Sequence, residues 1–250
     1  MILIVGSTHD DVLYFESKLR NKTEETILGQ YPLIVGTMFS QKVGVVYGGY
    51  TNYLSAAIVS HILAKNYIVL VIIVGKCTAF ANDLKAGDIV VSRQAYLAEV
   101  NQVGIKNAIL GQVPSCPQSY VTDAYVLDLM NGCINKVIRK SSAHVGTFIS
   151  IEKIVHSNKD LESITSSNGV IFGNKNDVVI DSCTGGAALA CHLNDVPFIS
   201  VQVVDGNIDE KRTITSYVDV LKRYSDVGKA ITSFVGEISR NEVINGSSQG

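Results

Sequence analysis

At 250 residues, with a net charge of −2 and a pI near 6.2, the chain is long enough for one large α/β domain. It carries no basic stripe of the kind that binding a phosphate backbone needs, which argues against nucleic acid as a partner. Hydrophobic residues make up 46% of it and charged residues 18%, a surplus over a typical soluble monomer that favours an oligomer interface.

The chain opens on Met1 to Val5, a short β-branched strand; its apolar run is brief and follows no basic region, so it is not read as a signal peptide. Gly6 to Asp11 is a strand-to-helix turn, in which Ser7, Thr8 or Asp10 could cap a helix over Val12 to Leu19. Pro32 to Thr37 and Lys42 to Tyr47 have the pattern of paired strands. Gly48-Gly49-Tyr50-Thr51-Asn52 opens a helix that runs from Leu54 to Lys65, with Ala56, Ile58, Ile62 and Leu63 on one face. Ile68 to Val74 is an unbroken, mostly β-branched apolar run, the mark of a strand buried on both faces of a parallel sheet. Gly75 is expected to end it. Because ligands of open α/β sheets sit at the carboxyl ends of such strands, the turn Gly75-Lys76-Cys77-Thr78 is the first place to look for a site. Leu84-Lys85-Ala86-Gly87-Asp88 reads as a tight turn into a further strand, Ile89 to Ser92.

Tyr96 to Gly104 is expected as a loop or strand over the site. In Gly111-Gln112-Val113-Pro114-Ser115-Cys116-Pro117, two prolines fix an extended backbone. Thr122 to Arg139 has the helical spacing of a core helix, and His144 to Ser150 is a strand. Val178 to Ala187 contains a small-residue helix start, Gly185-Gly186-Ala187-Ala188, suited to close helix–strand packing. Phe198 to Val204 is the last buried strand and ends in Asp205-Gly206-Asn207. Ser216 to Ile238 is a closing helix, and residues 241–250 form a polar tail beyond a single domain of residues 1–240. The five cysteines, Cys77, Cys116, Cys133, Cys183 and Cys191, are odd in number and lack C-x-x-C spacing, which fits a reducing cytoplasm and argues against disulfides and zinc. No apolar run approaches the ~20 residues of a membrane-spanning helix. No metal or other cofactor is expected.

The buried strand, the small-residue loop and the return Leu84-Lys85-Ala86-Gly87-Asp88-Ile89-Val90-Val91-Ser92 resemble the nucleoside phosphorylase superfamily, and within it the methylthioadenosine/S-adenosylhomocysteine nucleosidases. The segment Gly111 to Pro117 looks like the family's G-Q-x-P-G-x-P, and the likeness runs in order and spacing from residue 1 to 238. It implies a single α/β domain with a mixed twisted sheet flanked by helices. The family writes G-A-M-E-x-E after the first strand, and its last acid, which positions the attacking water, falls on Asp11. The carboxylate is kept on a side chain one methylene shorter, roughly an ångström less reach for a base that must touch its water. Tyr50 stands where the family turn reads S-G-I-G-K, and Lys76 and Cys77 stand in its T-G-S/T-A-G-G loop. The phosphorylase branches hold phosphate with an arginine and a serine there; this chain has Ile73 and Lys76. Ile154 falls on the aromatic residue that stacks on adenine and Val155 on its backbone-pairing neighbour, while His156 is read as structural.

Counting back from Val196-Pro197-Phe198 aligns Asp181, Ser182 and Cys183 with the first glutamate, the methionine and the second glutamate of V-E-M-E-A. The second glutamate grips the ribose hydroxyls, and a thiol accepts hydrogen bonds weakly. The aspartate that protonates purine N7 lies one residue past Asp205, so Asp205 takes that role only if a bulge or a one-residue shift restores it, with Asp209 a weaker substitute. The resemblance implies an N-ribosyl hydrolase of purine nucleosides with Asp11 and Asp205 catalytic and Tyr50, Lys76, Cys77, Ile154, Val155, Ser182 and Cys183 binding substrate. It also implies a homodimer through the Gly111 to Pro117 loop. Two alternatives stand beside it: a nucleoside-binding protein of the same fold with weak or no turnover, and a phosphorylase with Lys76 near the phosphate.

Overall fold

The computed structural model describes residues 1–80, 84–138, 142–153, 177–208 and 214–246, the side chains of 214–219 and 241–246 excepted. Its centre is the predicted apolar strand, which we label β5 (Leu70–Ala79). One edge of β5 pairs in parallel with β1 (Ile2–Gly6), which pairs in parallel with β4 (Gln41–Tyr47). Its other edge pairs in parallel with β10 (Phe198–Asn207). β10 runs antiparallel to β6 (Ile89–Leu97), β6 parallel to β8 (Ala143–Ser150), and β8 parallel to β9 (Val178–Asp181). β9 returns antiparallel to the end of β5 through Thr78 and Ala79, so these strands close on themselves. The sheet extends the other way through β4 to β3 (Tyr31–Met38) and β2 (Arg20–Ile27), and short β7 (Ser119–Val121) adds to β6.

Strand alternation splits the core into two layers. Leu3, Val5, Val71 and Ile73 pack under α2 (Asn52–Lys65) and α4 (Thr184–Leu193). Ile2, Ile4, Ile72 and Val74 face the layer of α1 (His9–Lys18), α3 (Ala124–Val137) and α5 (Ile214–Gly246). Each such side chain contributes about 1.5–3 kcal/mol by leaving water, so β1 and β5, buried on both faces, anchor the sheet. Among the described residues no helix is long and apolar enough to cross a membrane.

The structure differs from the sequence reading in four places. β5 does not stop at Gly75: Gly75, Lys76 and Cys77 pair with Gln202, Val203 and Val204, so β10 satisfies their backbone and the expected turn is strand. β2 was not expected, because RNKTEETI has no apolar alternation; as an edge strand exposed up to Ile27, it needs none. β6 runs on past Ser92, where the strand was expected to end, through Leu97. The closing helix runs to Gly246, so the expected tail begins in helical conformation. The predicted turn before β6 is present: Asp88 accepts from Lys85 N at 2.8 Å, Gly87 adopts φ 89°, and Val204 N donates to Asp88 O at 2.8 Å, tying the turn to β10.

Candidate active site

β1, β5 and β10 are mutually parallel, so their carboxyl ends open together, and the chemistry-bearing residues gather there. Asp11 lies in the first turn of α1, immediately after β1, and is 3% exposed. Its Oδ2 accepts the Thr8 N–H at 2.7 Å, as the N3 member of a capping box whose N-cap residue is Thr8, one of the expected caps. Oδ1 is buried with no hydrogen-bond partner among the described residues. Gly75 of β5 lies alongside: a Cβ there would meet Ser7 Oγ at 3.6 Å and Asp11 Oδ2 at 3.8 Å, both ordinary van der Waals contacts. The strand thus passes under the carboxylate with no side chain between them.

On the far side of β5, the β10 ladder shifts by one residue. Val204 pairs with Cys77 but Asn207 with Ala79, so three steps on β10 match two on β5. Asp205 and Gly206 sit in this bulge, and Thr78 Oγ1 donates to Asp205 Oδ1 at 3.1 Å. This is the local adjustment on which a role for Asp205 depends.

Between the two carboxylates lies a polar network centred on Asp181, which is 8% exposed. Asp181 Oδ1 accepts from Ser150 Oγ. Its Oδ2 accepts from Thr184 Oγ1, Thr184 N at 2.9 Å, Gln202 Nε2 at 2.8 Å and the Cys183 thiol at 3.4 Å. With four of these donors on Oδ2, Asp181 holds the end of β9 to α4, β8 and β10, and that oxygen has no lone pair left for a sugar. Cys183, 4% exposed, also accepts from Ser7 Oγ at 3.5 Å. Burial first, and then the Asp181 carboxylate, push its thiol well above the usual range, so it stays a neutral thiol. Cys77 is likewise pushed up, by burial and then by Asp205 and Asp181.

A cavity of about 390 Å³ opens over this floor, lined by Tyr50, Lys76, Cys77, Thr78, Asp181 and Ser182 among others. Lys76 is the exposed residue of an otherwise covered strand and stands at this cavity. Ser182 Oγ donates to Tyr50 O at 2.8 Å, joining the α2 turn to the α4 turn. Asp11, Asp205 and Cys183 lie beneath or beside the cavity and do not line it. A second cavity of about 460 Å³ adjoins it at Glu152 and has an apolar wall of Tyr53, Leu97, Val113 and Leu189. Ile154, Val155, His156 and Asp209 lie outside the described residues. Among the described residues no group of side chains could hold a metal ion.

Sequence reasoning missed Gln202 and Tyr224. Ser200 and Gln202 had a legible signal: two polar residues at period two in an apolar strand must share a face, and here both meet Thr184 on α4. Tyr224, on α5, had no local signal. Burial and then the Asp11 carboxylate push its phenol upward, and Asp10 and Asp205 add to the effect.

Comparison with known proteins follows this geometry. A curated 5'-methylthioadenosine/S-adenosylhomocysteine nucleosidase from Hydrogenovibrio crunogenus is 24% identical over 233 residues, 90% of this chain and 94% of that one. The crystal structure of the corresponding enzyme from Neisseria meningitidis, in complex with methylthio-immucillin-A, superposes with a TM-score of 0.82 at 18% identity, covering 94% of this chain and 98% of that one. The futalosine hydrolase of Helicobacter pylori superposes with a TM-score of 0.79 at 18% identity, covering 94% and 97%. At such identities the structural likeness establishes the fold. The family model of the phosphorylase superfamily matches residues 1–235, nearly the whole chain, and the chain belongs to that superfamily.

Proposed function

We propose that the protein is an N-ribosyl hydrolase of purine nucleosides, acting in the manner of the methylthioadenosine/S-adenosylhomocysteine nucleosidases that it resembles. The observation that carries this reading is the β10 bulge, which sets Asp205 against Thr78 at the strand end while Asp11 is buried across Gly75. An oxocarbenium-like transition state needs a proton for the departing base and a positioned water. Asp205 supplies the proton to purine N7, and Asp11, through its unpartnered Oδ1, takes the proton of the water. The sugar is held without the second glutamate of the family pattern, because a neutral thiol, Cys183, stands in its place and Asp181 Oδ2 is taken up by four donors. Tyr50, Lys76, Cys77 and Ser182 border the space it occupies, and the adjoining apolar cavity, walled in part by Val113 of the Gly111 to Pro117 segment, suits a 5'-substituent.

A homodimer accompanies this reading. Tyr53, Val103, Ile105, Ile109, Val121 and Tyr125 are each more than half exposed, an apolar surface that a second copy would cover. Free cysteines that are mostly buried fit the cytoplasm.

The test is release of free base from methylthioadenosine, adenosine and inosine, followed by chromatography with and without phosphate. Release without phosphate is expected, and Asp205→Asn should slow it ~100-fold or more. A requirement for phosphate, with ribose-1-phosphate as product, would replace hydrolysis by phosphorolysis. Binding without cleavage would favour the nucleoside-binding alternative, which the missing ribose anchor already motivates.

A further inference from the structure

Two buried polar atoms near the candidate base have no partner among the described residues: Asp11 Oδ1 and the phenolic oxygen of Tyr224. Native interiors seldom leave one such group unmet, and a buried acceptor opposite a buried donor is a pair awaiting closure. Tyr224 is on α5, which packs against α1. One turn further along α5, a Cβ on Gly228 would fall 2.3 Å from the Tyr14 ring of α1, so the bare glycine lets the two helices approach closely there. That close approach carries the phenol of Tyr224 toward Asp11, whose carboxylate is the strongest influence on the hydroxyl after burial itself. The carboxylate acts on the hydroxyl as a hydrogen-bond partner as well as through its charge, although neither atom makes a bond of ordinary geometry.

We propose that Tyr224 is a positioning residue for Asp11: in the working site its hydroxyl donates to Asp11 Oδ1, directly or across one water, and holds the carboxylate aimed. Asp11 is then fixed at both oxygens, by Thr8 N–H on Oδ2 and by Tyr224 on Oδ1. Each carboxylate oxygen has a second lone pair, so the reacting water keeps an acceptor. Asp11 reaches less far than a glutamate would, and a donor from another helix compensates by removing its rotational freedom. The acidic neighbours Asp10 and Asp205 also face the phenol, and burial keeps it protonated and therefore a donor. The closing helix thereby joins the site through one polar contact.

The role rests on the nucleosidase reading, but the contact does not, so the experiment has two arms. A crystal structure of the unliganded protein, at a resolution that places waters, should show Tyr224 Oη within hydrogen-bonding distance of Asp11 Oδ1 or sharing one water with it. A phenol turned away from Asp11 overturns the proposal whether or not the protein cleaves nucleosides. In kinetics, Tyr224→Phe should lower kcat ~10-fold, the rate equivalent of one hydrogen bond to a charged group, with KM within about twofold. In an Asp11→Asn background the same change should have almost no further effect, because the interaction is already gone. Equal losses in both backgrounds would mean that Tyr224 acts through packing, which overturns the proposal. If the contact is present but wild type releases no base, the nucleosidase reading falls and the contact stands.

Discussion

Asp181→Asn is the substitution whose cost can be worked most directly from the structure. The new amide must choose which of its ends meets which neighbours. With its nitrogen toward Thr184 and Gln202, it would face a backbone N–H, a donor that cannot reverse, and a side-chain amide that would have to flip and give up its own donated bonds. With its nitrogen toward Ser150, it meets a hydroxyl that already accepts the Gly185 N–H at 2.7 Å and can accept a second bond. The second orientation wins. It keeps the oxygen facing Thr184 N, Thr184 Oγ1 and Gln202 Nε2 but removes the charge from those bonds. The difference between a charge-assisted and a neutral hydrogen bond is roughly 1 kcal/mol, so these bonds together lose about 3 kcal/mol. Relief of the cost of burying a charge returns part of that, leaving a destabilisation of about 2 kcal/mol. Urea unfolding at pH 7, at fixed protein concentration because an oligomer's stability depends on it, should show the midpoint lowered by roughly 0.7–1 M with an unchanged slope. A change below about 0.5 kcal/mol would refute the reasoning, since the network would then contribute nothing that an amide cannot supply.

Cys183→Glu, which the resemblance alone recommends as a repair of the ribose anchor, should instead cost stability. A carboxylate rooted where the thiol lies 3.4 Å from Asp181 Oδ2 meets a repulsion of about 4 kcal/mol at close range, to be read as a lowered Tm. Gly186→Ala should destabilise by about 3 kcal/mol in the same denaturation assay, because its Cβ would fall 2.0 Å from Asn52 O where α2 and α4 meet. Burial raises the thiols of Cys77, Cys183 and Cys191, the last to about 12, so the folded state keeps protons that the unfolded chain releases above roughly pH 8.5. Stability should therefore fall as pH rises from 8 to 10 under reducing conditions, and at pH 8 a thiol reagent should label half-buried Cys116 well before those three. Light scattering at micromolar concentration should report at least a dimer, and a monomer with full ligand binding would remove that part of the reading.

The strands and helices that bury a face were legible from the sequence because burial imposes a period. Ile68 to Val74 could be nothing but a strand covered on both sides, and Leu84 to Asp88 carried its own turn chemistry in Gly87 and Asp88. Elements without a buried face left no such mark, which is why the polar edge strand β2 went unseen. Gly75 shows a further limit. A glycine at the end of an apolar run reads as a stop, and only its pairing with Gln202 shows that the strand runs on past it. The site follows the same division. Asp11 and Asp205 were nameable through the family resemblance, but whether Asp205 reaches the strand end depends on a bulge, which is a property of two strands together. That Cys183 stays a neutral thiol, that Asp181 Oδ2 gathers four donors, and that Tyr224 comes from the far end of the chain to within the influence of Asp11 are matters of tertiary packing. Each depends on groups distant in sequence sharing one low-dielectric space, and no local pattern encodes that.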